Sequence, residues 1–262
     1  MTTPSPNPSR YPSGLQTDER WGPLAHCGVV NPFFYHSFVD DFNEYTTTGI
    51  DSVASSGRWV QTNASSGTVA QEAGDGGLII LTTAATSSDY ESIQAQVAGF
   101  TLPQVATQYK KLFGLARLQL SDITNSAFII GLAAVDTTPF TSIANGLYFH
   151  KASGSTQISL VLENASTATT LNLPTTAYNL VNATNIDLGF EVDSSGNINA
   201  FVGAPLVGYQ IMPSSNPVLG PCAKITSPSM PATNLAPIIA IQAGAAAAKT
   251  LTVDFVGFFK ER

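Results

Sequence analysis

From residue 37 to residue 262 the chain is a succession of short runs in which large apolar residues alternate with small or polar ones. Clusters of Gly, Asn, Asp and Ser separate the runs. Within Leu112–Leu120, residues Leu112, Gly114, Ala116, Leu118 and Leu120 fall on one side, and Phe113, Leu115, Arg117 and Gln119 on the other. In 157–163, Ile158, Leu160 and Leu162 share a side. A period of two is the strand period, and it turns one face of a sheet to a core. The pattern predicts strands over 37–42, 58–62, 68–72, 78–83, 90–97, 111–120, 127–135 and 146–151. It predicts further strands over 156–162, 170–173, 186–192, 197–202, 206–211, 237–242 and 250–260. The run 127–135 is apolar throughout, which is the pattern of a central strand covered on both faces.

Turn chemistry fits hairpins. Asp193-Ser-Ser-Gly-Asn197 offers Gly196 for a positive φ, and Asp75-Gly-Gly77 and Ala152-Ser-Gly-Ser155 do the same. The Ala-rich stretch 243–248 contains Gly244 and lies between two strands, so it reads as a loop. No repeat of about 20–50 residues is visible, which argues against a propeller or solenoid. The expected fold is all-β: a two-sheet antiparallel jelly-roll sandwich over 37–262.

Residues 1–36 have a different texture. Pro4, Pro6, Pro8, Pro12, Pro23 and Pro32 punctuate a segment without apolar periodicity, the pattern of an extended arm. Tyr11, Trp21, Phe33, Phe34 and Tyr35 are too many large apolar groups to leave in water, at about 1.5–3 kcal/mol each. They are the expected interface anchors, on a neighbouring subunit or on the chain's own body. A second Pro-rich stretch, 213–237, reads as a long excursion of the kind that makes contacts.

Composition narrows the function. Charged residues make up 11% of the chain, against about 25% in ordinary soluble domains. A polar surface with few charges suits packing against neighbours, because a buried hydroxyl needs only a hydrogen bond whereas a buried charge needs a partner. The net charge is −7, and the longest basic run is Lys110-Lys111, so no nucleic acid is expected as a partner. No apolar run reaches the roughly 18–20 residues of a membrane span. The first residues lack the apolar stretch of a secretory leader, so synthesis in a cytoplasm is expected. Cys27 and Cys222 stand far apart in sequence, and their pairing is not readable from it.

Catalytic patterns are missing. His26, His36 and His150 have no Ser/Asp companions in a recognisable arrangement, and no Gly-x-Ser-x-Gly elbow occurs. A glycosidase needs two carboxylates about 5–10 Å apart. Glu191-Val-Asp193 is the one strand-borne spacing of that kind, and Asp193 reads better as a turn residue. Asp40 and Asp41 are adjacent and so would point to opposite faces of a strand. Asp75, Asp89, Asp122 and Asp136 all sit at turn signals. No catalytic, cofactor or metal residue is expected.

The segments 32–42, Trp59-Val60, 73–78, 111–117, 131–139, 188–193 and 253–262, with Arg10-Tyr-Pro-Ser-Gly14 ahead of them, carry a resemblance. In this order they resemble a group of tailed-bacteriophage virion proteins, in which such an opening precedes a concanavalin/laminin-G-like jelly roll. The resemblance implies a capsid decoration (cement) protein on the exterior of the virion, assembled in the host cytoplasm. Its implied partners are the major capsid protein and further copies of itself in a homotrimer. The alternative is a lectin-like appendage or tail-fibre protein contacting host-surface glycans, with Tyr90, Tyr148, Tyr178 and Tyr209 as candidate sugar-stacking residues.

Overall fold

The computed structural model describes residues 35–43, 58–73, 77–102, 110–203, 222–226 and 228–262. Sheet I is built from β1 (Tyr35–Asp40), β3 (Thr68–Glu72), β4 (Leu78–Thr82), β7 (Leu112–Leu120), β12 (Ile186–Val192), β13 (Ile198–Gly203), β14 (Ala223–Ile225) and β16 (Thr250–Glu261). Sheet II is built from β2 (Trp59–Asn63), β5 (Tyr90–Ala95), β6 (Phe100–Thr101), β8 (Ser126–Ala133), β9 (Gly146–Lys151), β10 (Ile158–Asn164), β11 (Thr167–Asn172) and β15 (Asn234–Ala243). The order in sheet I is β14-β13-β12-β7-β16-β4-β3, with β1 also on β16; in sheet II it is β11-β10-β9-β8-β15-β5-β2, with β6 also on β15. Every pairing is antiparallel. The fold is the expected two-sheet jelly roll.

Alternation decides the core. Leu112, Ala116, Leu118 and Leu120 of β7 and Ile158, Leu160 and Leu162 of β10 point between the sheets. Four rings cross that space in sequence, Phe149, Phe190, Phe258 and Phe100, with centroids 6.1–6.3 Å apart. Gly114 makes room for them, since a Cβ there would lie 2.4 Å from the Phe190 ring. β8 is buried along its whole length, as its unbroken apolar run predicts.

The turn at Asp193–Asn197 forms as expected, with Gly196 at φ 76°. Asp193 accepts hydrogen bonds from the backbone N–H groups of Ser195 and Asn197. The hairpin joining β10 to β11 differs from expectation. Its two turn residues, Ala165 and Ser166, both hold positive φ (50° and 62°) without a glycine. Both strands consequently run further towards the turn than predicted. β6, β14 and a one-turn helix α1 (Pro139–Ser142) were not anticipated. Pro237 lies inside β15, but it falls in the gap where that strand's neighbour changes from β6 to β5. No ladder partner is left short there.

β1 begins at Tyr35, two residues before the expected start of the sandwich. It pairs with the second half of β16, Tyr35 opposite Glu261. Tyr35, expected as an arm anchor, is 4% exposed within this strand. The other anchors, Tyr11, Trp21, Phe33 and Phe34, lie outside the described residues, as do Tyr209, the predicted strand 206–211 and Cys27. Cys222 is half-buried at the start of β14, and burial pushes its thiol up to about 11.

On the outer side of sheet I, β16 bulges between Val253 and Phe255. Bulges re-aim side chains, and here Asp254 faces Arg117 of β7 at 3.4 Å. Arg117 Nε also donates to Asp187 of β12 at 2.7 Å, and that carboxylate is 2% exposed. Phe113, Leu115, Phe201 and Phe259 are buried on the same side. At the far edge the chain crosses from β2 in sheet II to β3 in sheet I, and Gly67 of the crossover lies over the fully buried Glu91 of β5. Gln61 donates to one Glu91 oxygen at 2.8 Å. Burial raises this carboxyl to about 7.

Candidate functional site

The outer side of sheet II is apolar at its centre. Ile129 and Ala133 of β8, Val161 of β10, Tyr148 of β9, and Ile238 and Ala240 of β15 form a second cluster outside the main core. Such a surface must be covered. The β8–β9 loop folds back over it and adds Ile143 and Phe140 to the cluster.

Polar contacts fix the loop. Gln94 donates to the carbonyls of Ala133 and Ala134 and accepts from the Asp136 N–H. The Tyr90 hydroxyl donates to the Thr137 carbonyl at 2.6 Å. Asp136 accepts from the Thr138 backbone and from the Ser142 hydroxyl, tying both ends of α1 together. Pro139 opens the helix, where its missing N–H costs nothing. Opposite, the strained β10–β11 turn is held by the same loop. The Ala165 N–H donates to Asn145 Oδ1 at 3.0 Å, and the Ser166 N–H to the Ala144 carbonyl at 2.8 Å.

Between the loop and this turn lies a cleft of about 430 Å³. Pro139, Phe140 and Ile143 make its apolar wall, Thr141, Ser142 and Ser166 its hydroxyl rim, and Tyr148 and Glu163 its floor. The Tyr148 hydroxyl stands 3.5 Å from Glu163 Oε1, and Glu163 Oε2 is buried without a donor. Burial raises the Glu163 carboxyl above its ordinary value. Burial and the Glu163 charge together hold the Tyr148 phenol well above its own, so it remains a proton donor. Gly131 keeps the floor close-packed, because a Cβ there would meet the Tyr148 Cα at 2.5 Å.

Of the aromatics expected to stack on sugars, Tyr148 reaches the cleft and Tyr90 packs behind Phe140, ring centroids 6.3 Å apart. Tyr178 is elsewhere and structural: its hydroxyl accepts from the Ile158 N–H at 2.8 Å and donates to the Thr156 carbonyl. Sequence reasoning missed Phe140 and Glu163. Among the described residues, the acidic side chains considered for chemistry, apart from the exposed Asp41, are occupied in the fold; Asp75 lies outside the described residues. Asp40 accepts from Trp59 Nε1 and the Phe42 N–H, and Asp89 from Ser65 and the Ala84 N–H. Asp122 is held well below the usual carboxylate range, first by Lys249 and then by the Asn125 N–H. Glu191 faces away from the core and accepts from Asn199 at 3.1 Å. His36 packs on Phe100, and His150 lies at the end of β9. Among the described residues no group of three or more metal-ligating side chains forms, and no helix is long and apolar enough to cross a membrane. Among the described residues of the cleft lining, Glu163 is the one carboxylate.

No family model matches the sequence, and no curated protein is a significant match. Solved structures do share the fold. A Shewanella oneidensis MR-1 protein of unknown function superimposes with a TM-score of 0.56 at 12% identity, covering 87% of each chain. Peanut lectin gives 0.54 at 12% identity over 86% of this chain and 97% of its own. The CBM2 module of the evolved Dit of Lactobacillus casei BL23 phage J-1 gives 0.51 at 12% identity over 87% and 96%. A glycosidic hydrolase is also among the matches, so the shared fold does not by itself separate binding from hydrolysis. At these identities the likeness establishes the architecture alone: the chain has the concanavalin-like, two-sheet jelly-roll fold that these structures share.

Proposed function

We propose that this chain is a structural protein of a tailed-phage particle, of the head-decoration type, that works by adhesion and performs no chemical step. The supporting observation is that Asp40, Asp89, Asp122 and Asp193 are engaged in holding the fold together, on a sandwich whose architecture also serves in a phage protein module. The order of sequence motifs and the low charge content agree with this reading. Its partners are the major capsid protein and further copies of the chain, arranged as a trimer on the outer shell. Apolar burial and multiple contacts supply the affinity, so binding resists salt.

Purified full-length chain added to heads that lack it tests the reading. Co-sedimentation is expected to be stoichiometric and to persist at about 1 M salt. Removing residues 1–34, which leaves β1 whole, is expected to weaken it by about tenfold or more. A chain that stays monomeric and ignores the heads would overturn the proposal.

One observation favours a second reading, an appendage that contacts host-surface glycans: the polar-rimmed cleft on sheet II.

A further inference from the structure

We infer that the cleft between α1 and the β10–β11 turn binds a neutral saccharide unit, selected by acceptors in the site rather than by charge attraction. This inference rests on the glycan reading above and specifies its site and ligand class.

The rim offers mainly lone pairs. The Thr141 hydroxyl donates to the Thr138 carbonyl and so presents its oxygen as an acceptor, while the Ser142 hydroxyl is shared between Asp136 and the Thr138 hydroxyl. Glu163, which lines the floor, is acceptor-only when ionised. A site with unfilled acceptors calls for a ligand rich in donors, and sugar hydroxyls are that. Phosphates and carboxylates bring acceptors and negative charge instead. Among the described residues no Lys or Arg lines the cleft to receive them, and Glu163 and the nearby Asp136 repel them.

Half-buried Phe140, backed by the buried Ile143 and Pro139, supplies the apolar surface against which the C–H face of a sugar ring packs. The volume falls within the roughly 300–1,000 Å³ of small-ligand sites. Both walls are fixed in advance, by Asp136 on one side and by Asn145 and the Ala144 carbonyl on the other. Little ordering is therefore left for the moment of binding.

Calorimetric and ligand-observed NMR titrations of the full chain with glucose, galactose, N-acetylglucosamine and their oligomers test this, with glucuronate and glucosamine as charged comparisons. At least one neutral sugar is expected to bind in the millimolar range or tighter, with glucuronate weaker by about tenfold. Phe140→Ala and Glu163→Gln should each lose about tenfold, whereas Tyr178→Phe should bind as the parent does. Thermal unfolding establishes that each variant is folded. Neutral-sugar binding that survives both cleft variants would overturn the assigned site and leave the glycan reading standing. Preference for glucuronate or glucosamine would overturn the ligand class. Absence of binding to every neutral sugar would overturn the inference and the glycan reading together.

Discussion

The outer side of sheet I combines buried rings with an ion-pair network around Arg117, whereas the outer side of sheet II is aliphatic at its centre and carries a lid made from the β8–β9 loop. The difference follows from the residues that alternate outward. Where β7 and β12 present Arg117 and Asp187, charge neutralises charge across neighbouring strands. Where β8, β10 and β15 present Ile129, Val161 and Ile238, burial is the only favourable outcome, and the chain folds back to provide it. The lid meets the β10–β11 turn at its far edge, and the cleft is the gap between them. The candidate site is thus a by-product of covering an apolar sheet.

Glycine substitutions should break this contrast most visibly. Gly131→Ala on sheet II drives a Cβ into the Tyr148 and Leu147 backbone and should cost about 3 kcal/mol or more, or prevent folding. Gly257→Ala on sheet I meets the Phe259 ring at 3.0 Å, and Val39 Cγ2 only at 4.0 Å, and should cost about 1 kcal/mol or less. Urea unfolding midpoints compare the two. Asp187→Asn removes the charge that Arg117 needs and should lower stability by about 2–3 kcal/mol, nearly independent of salt because the carboxylate is buried. An equal loss at low and high salt in denaturation curves is the expected signature.

Glu91 sharpens the comparison where the sheets meet. Its folded pKa of about 7 lies above its ordinary value of 4.5, so the folded state holds the proton more tightly. The resulting stabilisation is present in full below pH 4.5 and is lost as pH rises through about 7. It amounts to about 3 kcal/mol, and Glu91→Gln should flatten the profile of unfolding midpoint against pH. The smallest effect expected is a gain: Ser166→Gly relieves the positive φ in the cleft turn and should add about 0.5 kcal/mol.

Strands were legible wherever one face meets the core, because a period of two survives in the sequence. Thr68–Glu72, Gly146–Lys151 and Ile186–Val192 fall where the alternation places them. β6 and β14, with two and three residues, are too short to carry a period. The β10–β11 turn was missed because Asn164-Ala-Ser-Thr167 has no glycine, and tertiary hydrogen bonds from the lid hold Ala165 and Ser166 in place. Phe140 and Glu163 lie 23 positions apart, on a loop and a strand, and nothing local announces that they meet. The one signal available was the unbroken apolar run of β8, which required a cover without saying which segment provides it.

The pairing of β1 with β16 has a mechanical consequence. Tyr35 lies opposite Glu261, so tension entering at Tyr35 would peel β1 from the edge of β16 one backbone pair at a time. β7, bonded to β16 along nearly all its length, would instead share a pull along its axis among all its pairs at once. Under load the first strand yields gradually and at low force, while the remainder of the sandwich keeps its shape.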